Sequence, residues 1–237
     1  VERSTHLSNM GADRSPAPAR PRGSLARRAQ IEQNVRQAAA QTFVAHGVAN
    51  TSLADIADAL GIGRTALYHY YASKDELLVA LITECAADAR AVLAAVASTD
   101  EPVAQQLREA VRRLAGFALE RPERVRLLDS AAGLPPVAER IARSLNRQFV
   151  TDLANLVRQG VDSGELRSVD PGVAAHTIVG STRSVAWWFD PNGPRSAEFV
   201  ADQLAEAAVR GLLAEPSVST TVLDAVASLR DGVDALA

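Results

Sequence analysis

Between positions 64 and 74 the chain places Arg64, Thr65, Tyr68, His69, Tyr70 and Lys74. These side chains suit contact with a nucleic acid better than bond-making chemistry. An arginine guanidinium can pair with O6 and N7 of guanine, and a threonine can meet a base edge or a thymine methyl. Tyrosine hydroxyls and a lysine ammonium reach phosphate oxygens, which set register without reading sequence. Lys74 is the only lysine in the chain. It stands beside Ser73, at the start of a further helix, where backbone amides also favour an anion.

Such groups need a scaffold, and the preceding residues supply one. Thr51 and Ser52 are N-cap residues, with Asp55 three positions after Ser52 approximating a capping box. Leu53, Ile56, Ala57 and Leu60 recur at helical spacing and form one apolar face. Gly61 ends that helix, Ile62 plugs the turn and Gly63 can cap the next helix. Ala66, Leu67 and Tyr70 or Tyr71 anchor the second helix, leaving Arg64, Thr65, Tyr68 and His69 to share an exposed surface. This is the pattern of a helix-turn-helix, whose second helix enters the major groove of double-stranded DNA. Thr51 and Ser52 join the candidate contacts from the first helix.

The formal net charge is −3, but the charges are unevenly distributed. From Arg14 to Arg36 the basic residues Arg14, Arg20, Arg22, Arg27, Arg28 and Arg36 face Glu32 alone. That asymmetry is an electrostatic footprint for phosphate, with Arg27 and Arg28 nearest the motif. Residues 1–24 are rich in Pro, Arg, Ser and Gly, lack an apolar period and read as a disordered basic arm. Residues 25–46 read as a helix with Ile31, Val35, Ala39 and Phe43 on one stripe and Gly47 as its stop.

This N-terminal stretch resembles the TetR family of transcriptional regulators. The resemblance rests on Ala45-His46-Gly47, Thr51-Ser52-Leu53, Ile56-Ala57, Gly61-Ile62, Leu67-Tyr68-His69-Tyr70-Tyr71 and Ser73-Lys74-Asp75-Glu76-Leu77. It runs through residues 26–80 without a gap. The family usually carries serine where Gly63 stands, so one cap and one phosphate contact are missing here. It usually carries phenylalanine where Tyr71 stands, and a buried Tyr71 then needs a partner for its hydroxyl. The implied layout is a DNA-binding domain over residues 25–74 and a helical effector-binding and dimerisation domain over residues 75–237.

The remaining sequence suits that layout. Alanine is abundant and aromatic residues make up 4%, which favours packed helices over sheet, so the expected class is all-α. A long helix follows Asp75, and further helices are expected over residues 101–119, 121–132, 137–163, 171–188, 196–213 and, weakly anchored, 220–236. Gly160 and Gly164 are expected to help end the helix over 137–163. Cys85 is the single cysteine, which excludes an internal disulfide, and it reads as a small buried hydrophobe. No apolar run is long enough to span a bilayer and no signal peptide is visible, so the expected location is the cytoplasm, with no membrane partner.

A looser resemblance covers residues 176–213, through Ala186-Trp187-Trp188-Phe189, Pro191-Asn192-Gly193-Pro194 and Arg210-Gly211-Leu212-Leu213. It is to TetR-type repressors of lipid and sterol catabolism that respond to acyl-coenzyme A thioesters. It implies a homodimer joined through the last two long helices, and Ala197, Ala201, Ala205 and Ala208 give one of them a face of small residues. It also implies a small, largely apolar effector between helices, with Phe117, Leu128, Phe149, Leu153, His176, Arg183 and Trp187 as candidate lining residues. Arg183 interrupts a helix otherwise apolar or small, and a buried arginine needs an anion, from the protein or from a ligand. Neither cofactor nor metal is expected, and no catalytic residue stands out. The histidines are scattered, and no nucleophile elbow, P-loop or metal-ligand spacing occurs. The main expectation is a repressor that an effector releases from its operator. The alternatives are an enzyme using the C-terminal cavity and a helical interaction module that does not bind DNA.

Overall fold

The computed structural model describes residues 22–129 and 134–213. The basic arm before Arg22 and the helix expected over 220–236 lie outside the described residues. Among the described residues the chain forms α1 (Arg22–His46), α2 (Leu53–Leu60), α3 (Arg64–Tyr68), α4 (Lys74–Ala97), α5 (Val103–Glu120), α6 (Pro122–Asp129), α7 (Pro136–Asp162), α8 (Pro171–Trp188) and α9 (Ala197–Arg210). The one extended pairing among them is an isolated bridge between Leu166 and Leu213, so the class is all-α. α1 starts at Arg22, three positions earlier than the residue pattern indicates.

Local chemistry accounts for the helix ends. The Ser52 hydroxyl accepts from the amide of Asp55 while the Asp55 carboxylate accepts from the amide of Ser52, a full capping box. Gly61 closes α2 with φ +64°, a left-handed conformation that suits a residue without Cβ. Ser73 caps α4, Asp170 caps α8 with Pro171 behind it, and Ser196 caps α9. Thr51 is not a cap. It is 3% exposed, and its hydroxyl donates to the carbonyl of Gly47 at 2.9 Å, tying the α1–α2 loop to itself.

Gly160 does not terminate α7 either; it lies inside the helix. A Cβ there would sit 2.6 Å from Leu166 Cδ1 and 3.0 Å from Val103 Cγ1, so the glycine permits close packing against the chain that returns after α7. Gly164, with φ +78°, turns the chain once α7 has ended.

The core of the described residues falls into three clusters, the smallest of which joins α5, α6, α8 and α9 through residues such as Leu119, Val125, Val185 and Val200. Val35, Phe43, Ile56, Leu67, Leu77, Leu78 and Ile82 hold α1–α4 together, and Leu127 of α6, Leu134 just before α7, and Ala138 and Ala142 of α7 belong to the same cluster. The helix-turn-helix core therefore extends beyond residue 74 into helices of the C-terminal region. A second cluster joins α4, α5, α7, α8 and α9 through residues such as Leu93, Leu107, Leu153, Val157, Ile178 and Val209. α4 contributes to both of these larger clusters. No helix among the described residues is long and apolar enough to cross a membrane.

Candidate DNA interface and effector cavity

α3 is fixed from below and open above. Leu67 is fully buried and Tyr71, just past the helix, is 7% exposed, while Arg64, Thr65, Tyr68 and His69 are exposed. The exposed face thus carries the base-reading candidates together. Arg64 lies 3.6 Å from Asp58 of α2, an ion pair open to water that holds the guanidinium only weakly. Arg27 and Arg28 of α1 are also exposed, and with Ile31, Ala66, His69 and Tyr70 they line one shallow groove between α1 and the end of α3. Arg28 lies over the Tyr70 ring at 5.6 Å and donates to Glu32 at 2.9 Å, which raises its pKa, first through that hydrogen bond. Ser52 is exposed at the start of α2. The Asp55 carboxyl titrates below its usual range because the Ser52 amide and then its hydroxyl bind it.

Two candidates have other occupations in this arrangement. Thr51 is buried, with its hydroxyl on the Gly47 carbonyl. The Lys74 ammonium donates to the Val48 carbonyl at 2.7 Å and to the Ala49 carbonyl at 3.4 Å. Both carbonyls belong to the turn after α1, and a cation neutralises that end of the helix dipole. Helical spacing placed Lys74 near the motif but said nothing of where the α1–α2 turn would fold back. Arg36, grouped with the basic residues before the motif, also turns inward. Its NH1 donates to the Tyr71 hydroxyl at 3.0 Å and its Nε lies 2.8 Å from Glu84 of α4. Tyr71 thereby acquires the partner that a buried phenol requires. A sequence signal existed, because Arg36, Ala40 and Phe43 share a helix face and the latter two are core residues.

A cavity of about 260 Å³ opens between α4, α5, α6, α7 and α8. Ile82, Leu114, Phe117, Val125, Leu128, Phe149 and Val179 make its apolar wall, and Asp129, Arg143, Asn146 and Arg183 make a polar corner. Phe117, Leu128, Phe149 and Arg183 are therefore brought together as the sequence suggested. Arg183 donates to Asn146 Oδ1 at 2.7 Å and lies 3.6 Å from Asp129, so its anion comes from the protein. Asn146 and Asp129 were not foreseen, because neither the pairing of α7 with α8 nor the end of α6 can be read from periodicity. Cys85 also lines the space, and burial pushes its thiol up to about 12.

Leu153, His176 and Trp187 do not line the cavity. Its walls on α7 end at Phe149 and on α8 run from Val179 to Arg183, and the three residues lie about one helical turn beyond those limits. Leu153 is fully buried in the core cluster beyond it. His176 is exposed, with Nδ1 2.8 Å from the Gly172 carbonyl. Trp187 is 56% exposed at the rim, donates to Asp129 at 3.2 Å and stacks under Arg126.

The small-residue face of α9 also differs from expectation. Ala201 and Ala205 are 5% and 2% exposed within one protomer, because α9 packs along α5. α9 nevertheless exposes Phe199, Gln203 and Ala207, and α8 exposes Val173, Thr177, Gly180, Ser184 and Trp188 at spacings of three and four. A Cβ at Gly180 would meet nothing within 4 Å, so the protomer itself does not require glycine there.

Residues 35–81 match the family model described as bacterial regulatory proteins, tetR family, and residues 100–212 match a tetracyclin repressor-like C-terminal domain. The HTH-type transcriptional regulator RutR of Escherichia coli K12 is 27% identical over 154 residues, 64% of this chain and 72% of RutR. The HTH-type transcriptional repressor KstR2 of Mycobacterium tuberculosis H37Rv is 24% identical over 190 residues, 75% of this chain and 90% of KstR2. The crystal structure of AibR with isovaleryl coenzyme A and operator DNA superposes with a TM-score of 0.65 at 24% identity, over 77% of this chain and 97% of AibR. That last likeness is one of fold.

Proposed function

Because this chain belongs to the TetR family of bacterial transcriptional regulators, we propose that it is a dimeric repressor that a small apolar effector releases from its operator. Arg64 and Thr65 read base edges, Tyr68 and His69 flank them, and Arg27, Arg28, Ser52 and Tyr70 hold phosphates. Thr51 and Lys74 act by holding the α1–α2 turn. The observation that carries the switch is the position of α4. It begins inside the helix-turn-helix core at Leu77 and Leu78, then lines the cavity with Ile82, Cys85, Ala86 and Ala89. A ligand that fits only one setting of α4 changes the spacing of the two recognition helices. Its effect on DNA is limited by its differential affinity for the two settings.

The effector that best suits the cavity has a compact apolar part for the Phe117–Phe149 wall and a polar part at Asn146 and Arg183. An acyl thioester of coenzyme A has that form, and the AibR complex with isovaleryl coenzyme A is a precedent within the fold. The second protomer docks on the exposed face of α8, where Gly180 allows close helix approach. A mid-helix glycine is unfavourable by about 1 kcal/mol relative to alanine, which a packing partner would offset. The protein works in the cytoplasm, and the DNA-binding unit centres on residues 25–74.

The test is anisotropy titration of an operator selected from genomic fragments, with and without isovaleryl and longer acyl thioesters. Thioesters are expected to weaken DNA binding and, by reciprocity, to bind the DNA complex less tightly than the free protein. Equal affinity for both would eliminate the thioester as inducer. Arg64→Ala should relax sequence preference, at a loss of about 1–3 kcal/mol on the operator. Equal loss on random DNA would remove Arg64 from base reading.

A further inference from the structure

Buried Arg124 and the partly buried Arg36 and Glu84 form one connected node where α1, α4 and α6 meet. Glu84 of α4 is shared by two guanidinium groups, Arg36 Nε of α1 at 2.8 Å and Arg124 NH1 of α6 at 3.3 Å. The Arg124 side chain is 5% exposed, and those of Arg36 and Glu84 are 18% and 30% exposed. Arg36 also holds the Tyr71 hydroxyl. Two cations thus converge on one carboxylate, with Glu32 a distant 3.9 Å from Arg36. Arg36 Nε, Arg124 Nε and Glu84 Oε2 are buried, and none makes a well-aligned hydrogen bond among the described residues. An ion-paired but under-bonded buried node does little to maximise stability. It does respond to displacement of a member, because Glu84 is shared and withdrawal of one guanidinium shifts the carboxylate towards the other.

We infer that Arg36 and Tyr71 are positioning residues of the recognition helix, and that Arg124 sets their geometry from the effector side through Glu84. The path is short. Tyr71 lies one turn past α3, and its amide donates to the Leu67 carbonyl at 3.1 Å, so the phenol anchors the end of the recognition helix. Arg124 precedes Val125, and Val125, Leu128 and Asp129 of the same helix line the cavity. An occupant that displaces α6 displaces Arg124. Glu84 then recentres on Arg36, Arg36 follows it, and Tyr71 loses its donor. The inference rests on the DNA-reading role of α3 proposed above, but its test does not.

Hydrogen exchange followed by mass spectrometry on the full-length protein provides that test, comparing Tyr71→Phe, Arg124→Met and Arg124→Lys with the parent. Tyr71→Phe and Arg124→Met are expected to speed exchange over residues 64–71 about tenfold, the size that follows loss of one hydrogen bond to a charged group. Exchange around Leu153 should stay unchanged, and Arg124→Lys should restore much of the protection. Unchanged exchange over 64–71 in Arg124→Met overturns the inference. So does an equal rise around Leu153, which would mark the node as general packing. No DNA enters the measurement. If the parent binds no operator, the proposed function fails while the exchange result keeps its meaning.

Discussion

Lys74 offers a sharp separation between contact and support. Its ammonium is half-buried and donates to the carbonyls of Val48 and Ala49. A hydrogen bond from a charged donor contributes about 1.5–3 kcal/mol when well shielded. The 2.7 Å bond is partly open to water and the second, at 3.4 Å, is long, so the expected loss in Lys74→Met lies near the low end. We take it as about 1–2 kcal/mol after allowing for solvent. For a chain of this size each kcal/mol moves the midpoint of thermal unfolding by about 2–4 °C, which gives a fall of about 2–8 °C. Scanning calorimetry at fixed protein concentration measures it. DNA affinity should fall as well, because the turn carries Ser52 and leads into α2. The slope of log affinity against log salt should not change, since no phosphate contact is removed. A slope shallower by about 0.9, the contribution of one phosphate, together with an unaltered melting point, would refute the supporting role and make Lys74 a direct contact.

Three further outcomes are expected. Gly160→Ala should destabilise the protein by about 1–3 kcal/mol in chemical denaturation, because the new methyl overlaps Leu166 and the core must shift; a neutral result would mean that Leu166 moves aside freely. Glu109 is held down to about 2, first by the Arg112 hydrogen bond, against partial burial, and then by Arg113. A depressed carboxyl stabilises the folded state above its ordinary pKa and loses that effect as pH falls towards the depressed value. The stability gap between the parent and Glu109→Gln should therefore be full at neutral pH and shrink on acidification towards 2, and a gap that widens would contradict the assignment. Gly180→Arg should yield a folded monomer by sedimentation, whereas an intact dimer would place the interface elsewhere than on the exposed face of α8.

Capping and anchoring were legible from residue types alone, because they depend on neighbours in the chain. Ser52 and Asp55 find each other three positions apart, Gly61 reaches a left-handed turn at no steric penalty, and Leu67 must turn inward if Arg64 and Tyr68 face water. The same locality made the all-α class and the recognition helix readable. Its limits appear where a residue's role depends on what another segment brings to it. Lys74 and Arg36 are cations beside a basic motif, and only the return of the α1–α2 turn and the packing of α4 gave them carbonyl and carboxylate partners inside the protein. The alanines of α9 form a genuine close-packing face, but small residues accept any helix, and α5 of the same protomer reached it first. Phe149 and Leu153 have equal periodicity, similar hydrophobicity and places in the same core cluster, yet only Phe149 also lines the cavity. Helical period fixes the direction in which a side chain points. Where the neighbouring helices part to leave a space is a property of their crossing, which only the assembled bundle determines.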